Sequence, residues 1–275
     1  MTRLAILIWL SSIGLCAAQD TPNLLTPHDH HEWARFAPGS WKKLRHTTQV
    51  YQDGVAGPTN VTTQTIRLKE VGDDYVVLET ESQSEVGGQV FDKPTLSFRS
   101  GISGEPERYS ATVTPGEDEA LSVNGIQHRC QVRKVVITGQ EEEISGSVLY
   151  CPTTAPWVLR RRFEAKSIGG DAIIKTIATD PIALEMPYPV LAENKSVAFF
   201  RTRIVVPEKT STTSVEIHCA EIPGFVVASS STTVDSSGRP INRTTTSLIS
   251  YEAILAEKSS AAAVRRRGLF RRRNR

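Results

Sequence analysis

The sequence predicts an all-β protein: a curved antiparallel meander or half-open barrel built from hairpin repeats. A short N-terminal helix, a C-terminal helix and a basic tail complete the expectation. Three observations carry it. The stretch Tyr150-Cys151-Pro152-Thr153-Thr154-Ala155-Pro156-Trp157-Val158-Leu159 recurs 68 residues on as His218-Cys219-Ala220-Glu221-Ile222-Pro223-Gly224-Phe225-Val226-Val227. A weaker third copy begins at Pro38-Gly39-Ser40-Trp41, and a glycine follows each aromatic by thirteen residues: Trp41 with Gly54, Trp157 with Gly170, Phe225 with Gly238. Between these marks, runs rich in Val, Ile, Thr and Tyr alternate with Gly, Pro and Asp turn signals, the pattern of adjacent hairpins.

In chain order, residues 1–18 read as a signal peptide. Arg3 supplies a short positive start, Leu4 to Leu15 an apolar run, and Cys16-Ala17-Ala18 a small-residue end, with cleavage expected before Gln19. A lipid-attachment signal would want a small residue before Cys16, and Leu15 stands there. No later apolar run reaches the roughly 20 residues needed to span a bilayer as a helix, so no transmembrane helix is expected in the mature chain. Residues 19–37 are an arm ending in a short helix. Asp29 and Glu32 have capping-box spacing, and Trp33 and Phe36 share one side of the two expected turns.

Residues 38–255 are the antiparallel β-repeat domain, with ten or so strands. Leu44 to Gln52 leads into an Asp53-Gly54 turn, and Asn60 to Glu70 pairs with Asp74 to Glu81. From Ser82 to Asn124 the pattern is least regular, with a single clear strand near Tyr109 to Val113. Next come Gln127 to Thr138 with Ile144 to Tyr150, and Val158 to Ala165 with Asp171 to Thr179. Pro181 to Glu193, with three prolines, reads as loop or edge. Ser196 to Val206 with Thr212 to Cys219, then Phe225 to Val234 with Ile241 to Tyr251, close the domain. Residues 256–275 form an Ala- and Arg-rich tail. The repeat aromatics Trp41, Trp157 and Phe225 are expected to pack beneath the curl of the sheet.

Centring the turn between Gln140 and Glu141 sets Cys130 opposite Cys151. Opposed strand residues have Cβ atoms about 4.5–5.5 Å apart, close enough for a disulfide. An exported chain permits that bond. The position 68 beyond Cys130 is Ala198, so Cys219 lacks an equivalent partner and reads as a buried small hydrophobe. A Cys151–Cys219 bridge stays open as the alternative.

The formal charge is +2, but the sum hides a division. Arg265, Arg266, Arg267, Arg271, Arg272, Arg273 and Arg275 make a strongly basic end on a mildly acidic body. Planar guanidinium groups suit phosphate, so the tail is a candidate for an anionic membrane or envelope polymer, with Leu269 and Phe270 assisting at a lipid surface. Nucleic acid is not the expected partner outside the cytoplasm. The one dense set of metal-type ligands is His28, His30, His31 and Glu32, whose imidazole and carboxylate groups would suit zinc or copper. They lie at the chain's exposed start, where a solvated helix end is the plainer reading. No cofactor is expected. Glu141-Glu142-Glu143 and Glu117-Asp118-Glu119 lack calcium-loop spacing and read as acidic turns. No Ser, His and acid arrangement has recognisable spacing. His218 and Cys219 are strand neighbours, so their side chains diverge.

The run Gly125-Ile126-Gln127-His128-Arg129-Cys130, then Cys151, Trp157-Val158-Leu159 and Gly169-Gly170, resembles envelope proteins of the lipoprotein-carrier type, the LolA/LolB-like proteins. The likeness covers roughly residues 40–255 in pattern. It implies a half-open antiparallel barrel around an apolar cavity, and binding or carrying rather than catalysis. The basic ending resembles tails on exported proteins of planctomycete-type bacteria. The functional expectation is an exported, non-enzymatic protein of the periplasm or cell exterior. It would bind an apolar or peptide ligand in its curved sheet and attach to anionic surfaces through its Arg tail. The alternative is a structural or interaction protein with a fully packed sheet; an enzyme is the remote third. A roomy apolar cavity would favour the first, and a core filled by Trp41, Trp157 and Phe225 the second.

Overall fold

Strand-forming segments joined by short turns pair most readily with their sequence neighbours. A computed structural model describes residues 24–256 of the chain, and there that rule holds for every pairing but one. The strands are β1 (Trp41–Gln52), β2 (Val55–Val71), β3 (Tyr75–Val86), β4 (Gln89–Gly101), β5 (Ser110–Val123), β6 (Ile126–Thr138) and β7 (Glu142–Tyr150). They continue as β8 (Val158–Ser167), β9 (Ile173–Val190), β10 (Glu193–Val206), β11 (Thr210–His218), β12 (Val226–Asp235) and β13 (Pro240–Glu252). All belong to one sheet in the order β4-β3-β2-β1-β13-β12-β11-β10-β9-β8-β7-β6-β5. The exceptional pairing joins β1 to β13, from Trp41 opposite Glu252 to Val50 opposite Asn242. Strands β4 and β5 do not pair, so the sheet stays open between them. The curved all-β meander read from the sequence is borne out.

Three segments differ from expectation. The irregular stretch before Asn124 holds two long strands. β4 is an edge strand exposed along nearly its whole length, and Asp92, Lys93 and Pro94 interrupt the alternation of Val90, Leu96 and Phe98 that would have marked it. β5 contains Pro115-Gly116, absorbed by a register shift between Pro115 and Asp118. The three prolines after Asp180 lie inside β9. Its ladder with β8 ends at Thr179 opposite Arg161, so beyond that point β9 has one bonded neighbour and a free side for proline.

The N-terminal helix is a single 3-10 turn, His28–His30. His31 turns extended at ψ 142, and its Nδ1 accepts the backbone N–H groups of Trp33 and Ala34 at 3.1 and 3.0 Å. That side-chain acceptor takes donors a continuing helix would have used. The expected C-terminal helix lies outside the described residues, apart from its first positions. There β13 ends at Glu252 and Leu255 forms a bridge with Phe36.

The N-terminal segment crosses the sheet's concave side. Trp33, Ala34 and Phe36 are buried against Leu68, Val76, Leu78 and Ile102. Leu25 packs with Val113, Val135 and Val148 from the other flank. Arg133 fixes this end: its Nη1 donates to the carbonyls of Leu24 and Leu25 at 2.6 and 2.5 Å.

Candidate ligand cavity

Strand alternation sends side chains to opposite faces, and three consecutive arginines on β8 show the result. Arg160 pairs with Glu119 at 2.7 Å, and Arg162 with Asp180 at 2.5 Å. Arg161, between them, lines a cavity on the concave side and makes no hydrogen bond or ion pair with any described side chain.

That cavity has a volume of about 370 Å³. One wall is apolar: Ile137, Ile144, Val148, Phe163, Ile177 and Phe200 come from β6 to β10. The roof is the N-terminal segment, with Leu25, Thr26, His30 and His31, helped by Ile102 from the loop after β4. Beside the aliphatic residues on the same face stand Thr179 and Thr202, two residues from Ile177 and Phe200, and then Glu216 and His218 from β11. Glu216 Oε2 lies 2.9 Å from His218 Nε2, and Ser214 Oγ donates to Glu216 Oε1 at 3.1 Å. The hydrogen bond to His218 holds the Glu216 carboxyl below the usual carboxylate range, with Arg161 adding to the effect. Burial pushes His31 down from its ordinary value, so it favours the neutral ring. The chain Ser214–Glu216–His218 places the acid between the other two groups. That is not the nucleophile–base–acid order of a catalytic triad.

Two loops at the cavity's roof end close alike. Cys151 N–H donates to Trp157 O at 2.7 Å, and Cys219 N–H to Phe225 O at 2.8 Å. Thr154 N–H to Cys151 O matches Ile222 N–H to Cys219 O, and Trp157 N–H to Thr154 O matches Phe225 N–H to Ile222 O. Both aromatics take positive φ, 70° and 54°, which is rare for bulky side chains. This turns them beneath the N-terminal segment. The Trp157 ring stacks on His30 at 4.6 Å and meets Phe225 at 5.7 Å. Trp41 does not join them: it donates through Nε1 to Glu252 at 2.9 Å. Pro38 has no N–H to make the equivalent bond in the third copy. Gly224 is held by close approach, since a Cβ there would lie 2.8 Å from the Trp33 ring.

Of the four candidate metal ligands, His30, His31 and Glu32 line the cavity, but the imidazoles are engaged elsewhere. His28 Nε2 bonds Asp73 O at 2.8 Å, His30 Nδ1 bonds the Tyr150 hydroxyl at 2.5 Å, and His31 is committed to its own turn. Among the described residues no three His, Cys, Asp or Glu side chains gather to hold a metal ion. Cys130 and Cys151 form a disulfide, with Cα atoms 4.2 Å apart. The strand register leads into it: Gln131 is opposite Tyr150 and Val132 opposite Leu149. Cys219 is free and buried, and burial pushes its thiol pKa up. Ala198 pairs with His218 rather than with Cys219. The seven tail arginines and residues 1–18, expected as a signal peptide, lie outside the described residues.

Reading the sequence residue by residue misses Arg161 and Glu216, and weighs His218 only against Cys219. Parity was the available signal. Glu216 and His218 are two apart on one strand and so share a face, whereas His218 and Cys219 do not.

Fold and cavity together define an open, single-sheet β meander with a two-sided concave pocket. No protein-family model matches the chain, and no curated protein matches it. Similar solved structures include a provisionally named lipoprotein from Parabacteroides distasonis, at 9% identity and TM-score 0.36, covering 81% of this chain and 98% of that one. A provisionally named exported protein with a YmcC-like fold from Bacteroides fragilis has 7% identity and TM-score 0.29, covering 79% and 98%. A provisionally named outer-membrane lipoprotein-sorting protein domain from Vibrio parahaemolyticus has 11% identity and TM-score 0.33, covering 82% and 91%.

Proposed function

We propose that this is an exported, non-enzymatic protein of the cell envelope that binds an apolar or peptide ligand on its concave face. The observation that carries this reading is the cavity of about 370 Å³ left between the sheet and the N-terminal segment. A fully packed structural sheet would fill that space with its large aromatics. Instead Trp157 and Phe225 pack against each other and His30 at one end, and Trp41 bonds elsewhere. Cavities of this size, mostly apolar with a few placed polar groups, are characteristic of small-ligand sites. The leader-like first residues and the Cys130–Cys151 bridge support an oxidising, extracytoplasmic compartment. The Arg tail, in this reading, holds the protein to an anionic surface.

The test is native mass spectrometry of the mature protein recovered from a bacterial periplasm. Added mass released by solvent extraction is expected. A bare chain, unchanged after incubation with envelope lipid and peptide extracts, would sink the proposal. The tail is tested separately by sedimentation with vesicles containing anionic phospholipid. Removing residues 265–275 is expected to abolish co-sedimentation, and an undiminished pellet would exclude the attachment role.

A further inference from the structure

An apolar guest accounts for the aliphatic part of the concave face, here its first wall, and leaves the polar part beside it, the second, unexplained. On that second wall, Thr179, Thr202, Ser214, Ser231, Thr244 and Thr48 stand in register across six successive strands of the sheet. Arg161, opposite Thr179, begins this row. A parallel row runs from Glu216 through Ser229 and Thr246 to His46. Apart from the exposed Arg161 these positions are half-buried, while their neighbours along β13 are exposed, so the hydroxyls face the inside of the curve. Some satisfy one another: Thr179 and Thr202 are 3.0 Å apart, and Thr48 and Thr244 3.1 Å. A hydroxyl so paired still offers further donor or acceptor capacity.

A face that held hydrocarbon alone would repeat the Ile and Val of the first wall, because each half-buried hydroxyl without a partner costs free energy. The change of chemistry falls between β8 and β11, where Arg161, Glu216 and His218 stand. An anionic head group would meet Glu216 and Glu32 as well as Arg161, which cancels much of its attraction. A head that donates and accepts equally fits all of them. We propose that the guest is a glycolipid, lying with its alkyl chain along Ile137, Ile144 and Phe163 and its sugar on the hydroxyl rows. Arg161 donates to the sugar's oxygens, and Glu216 accepts from its hydroxyls. This deepens the ligand-binding reading and rests on it.

The experiment compares two probes by titration calorimetry below their micelle concentrations. One is dodecyl maltoside; the other is a dodecyl polyethylene glycol ether with the same chain and no sugar. The maltoside is expected to bind about tenfold tighter or more, as one or two hydrogen bonds to charged groups would give. Glu216→Gln and Arg161→Gln should each shrink that ratio towards one, with the folding of each variant checked by its urea midpoint. Equal affinities for the two probes in the wild type would overturn the glycolipid assignment and leave an apolar guest standing. Binding of neither probe would overturn this assignment and count against the apolar guest as well.

Discussion

Lys42 offers the sharpest test of the packing between the sheet and its N-terminal segment. It is 4% exposed, and its Nζ donates to Gly224 O at 3.0 Å and Val226 O at 3.4 Å, with the Trp33 ring 5.5 Å away. Burial pushes its pKa from 10.5 down to about 8, with Glu32 offsetting a small part. In the unfolded chain the amine keeps its ordinary value, so between about pH 8 and 10.5 the unfolded state binds more protons than the folded one. Stability therefore rises with pH across that window. Below it the cost of enclosing the charge is fully present, and above it the cost is gone. The difference corresponds to about 3 kcal/mol. Other lysines and tyrosines titrate in the same range, so the informative quantity is a difference between two proteins. Urea unfolding of the wild type and Lys42→Met at steps from pH 7 to 10.5 supplies it. The wild type should gain about 3 kcal/mol on the variant over that span. At pH 7 the variant should be at least as stable, because the two lost hydrogen bonds return only about 1 kcal/mol each. Parallel stability curves would refute the reasoning and place Lys42 in contact with water.

Replacing both Cys130 and Cys151 by Ala opens a loop with a sequence separation of 21. Chain-entropy arguments put the loss at about 3 kcal/mol, readable as a lower urea midpoint that matches the reduced wild type. Cys219 is buried with a raised thiol pKa, so a thiol reagent should label it only after denaturant is added. Rapid labelling of the native protein would contradict its placement. Gly224→Ala adds a methyl against the Trp33 ring at a positive φ, and should lower stability by about 1–3 kcal/mol in thermal melts. Arg133→Met removes the donors to Leu24 O and Leu25 O. Hydrogen exchange should quicken in residues 24–37 while β10 to β13 stay protected.

Much of the strand arrangement could be read from the sequence because turn chemistry and hydrophobic alternation are local. The Cys130 hairpin shows this best: counting outward from Gln140 and Glu141 reaches the observed register. The readings fail where a neighbour decides. β4 leaves Val90, Leu96 and Phe98 exposed because nothing covers it, and Asp92, Lys93 and Pro94 interrupt its pattern. β9 tolerates its prolines because β8 has stopped. The helix expected at His28 to Phe36 is overridden by tertiary contacts, with His28 bonded to Asp73 and His30 to Tyr150. The cavity was legible only as an expectation of shape. Its polar residues are spread over β8, β9, β10 and β11, and only the register brings Arg161, Thr179, Thr202 and Ser214 into one row.

The pairing of β1 with β13 determines where the sheet can open. Once those two strands are zipped, the remaining free edges are β4 and β5, at either end of the strand order. Free edges invite association with other chains, and both are blunted. β4 carries Asp92, Lys93 and Pro94, while β5 carries the Pro115 irregularity and the acidic run Glu117 to Glu119. Leaving the edges apart costs the ladder that closure would have formed, and the N-terminal segment supplies a different link. Trp33 and Phe36 pack with Leu68, Val76 and Leu78 on the flank ending in β4. Leu25, His30 and the carbonyls held by Arg133 bind the flank ending in β5. A continuous two-turn helix would have run only about 10 Å for the same residues. The path that bends at His31 and turns through residues 32–35 reaches both flanks, and the space it spans is the cavity. The departure from helix and the existence of a binding site thus have one physical origin.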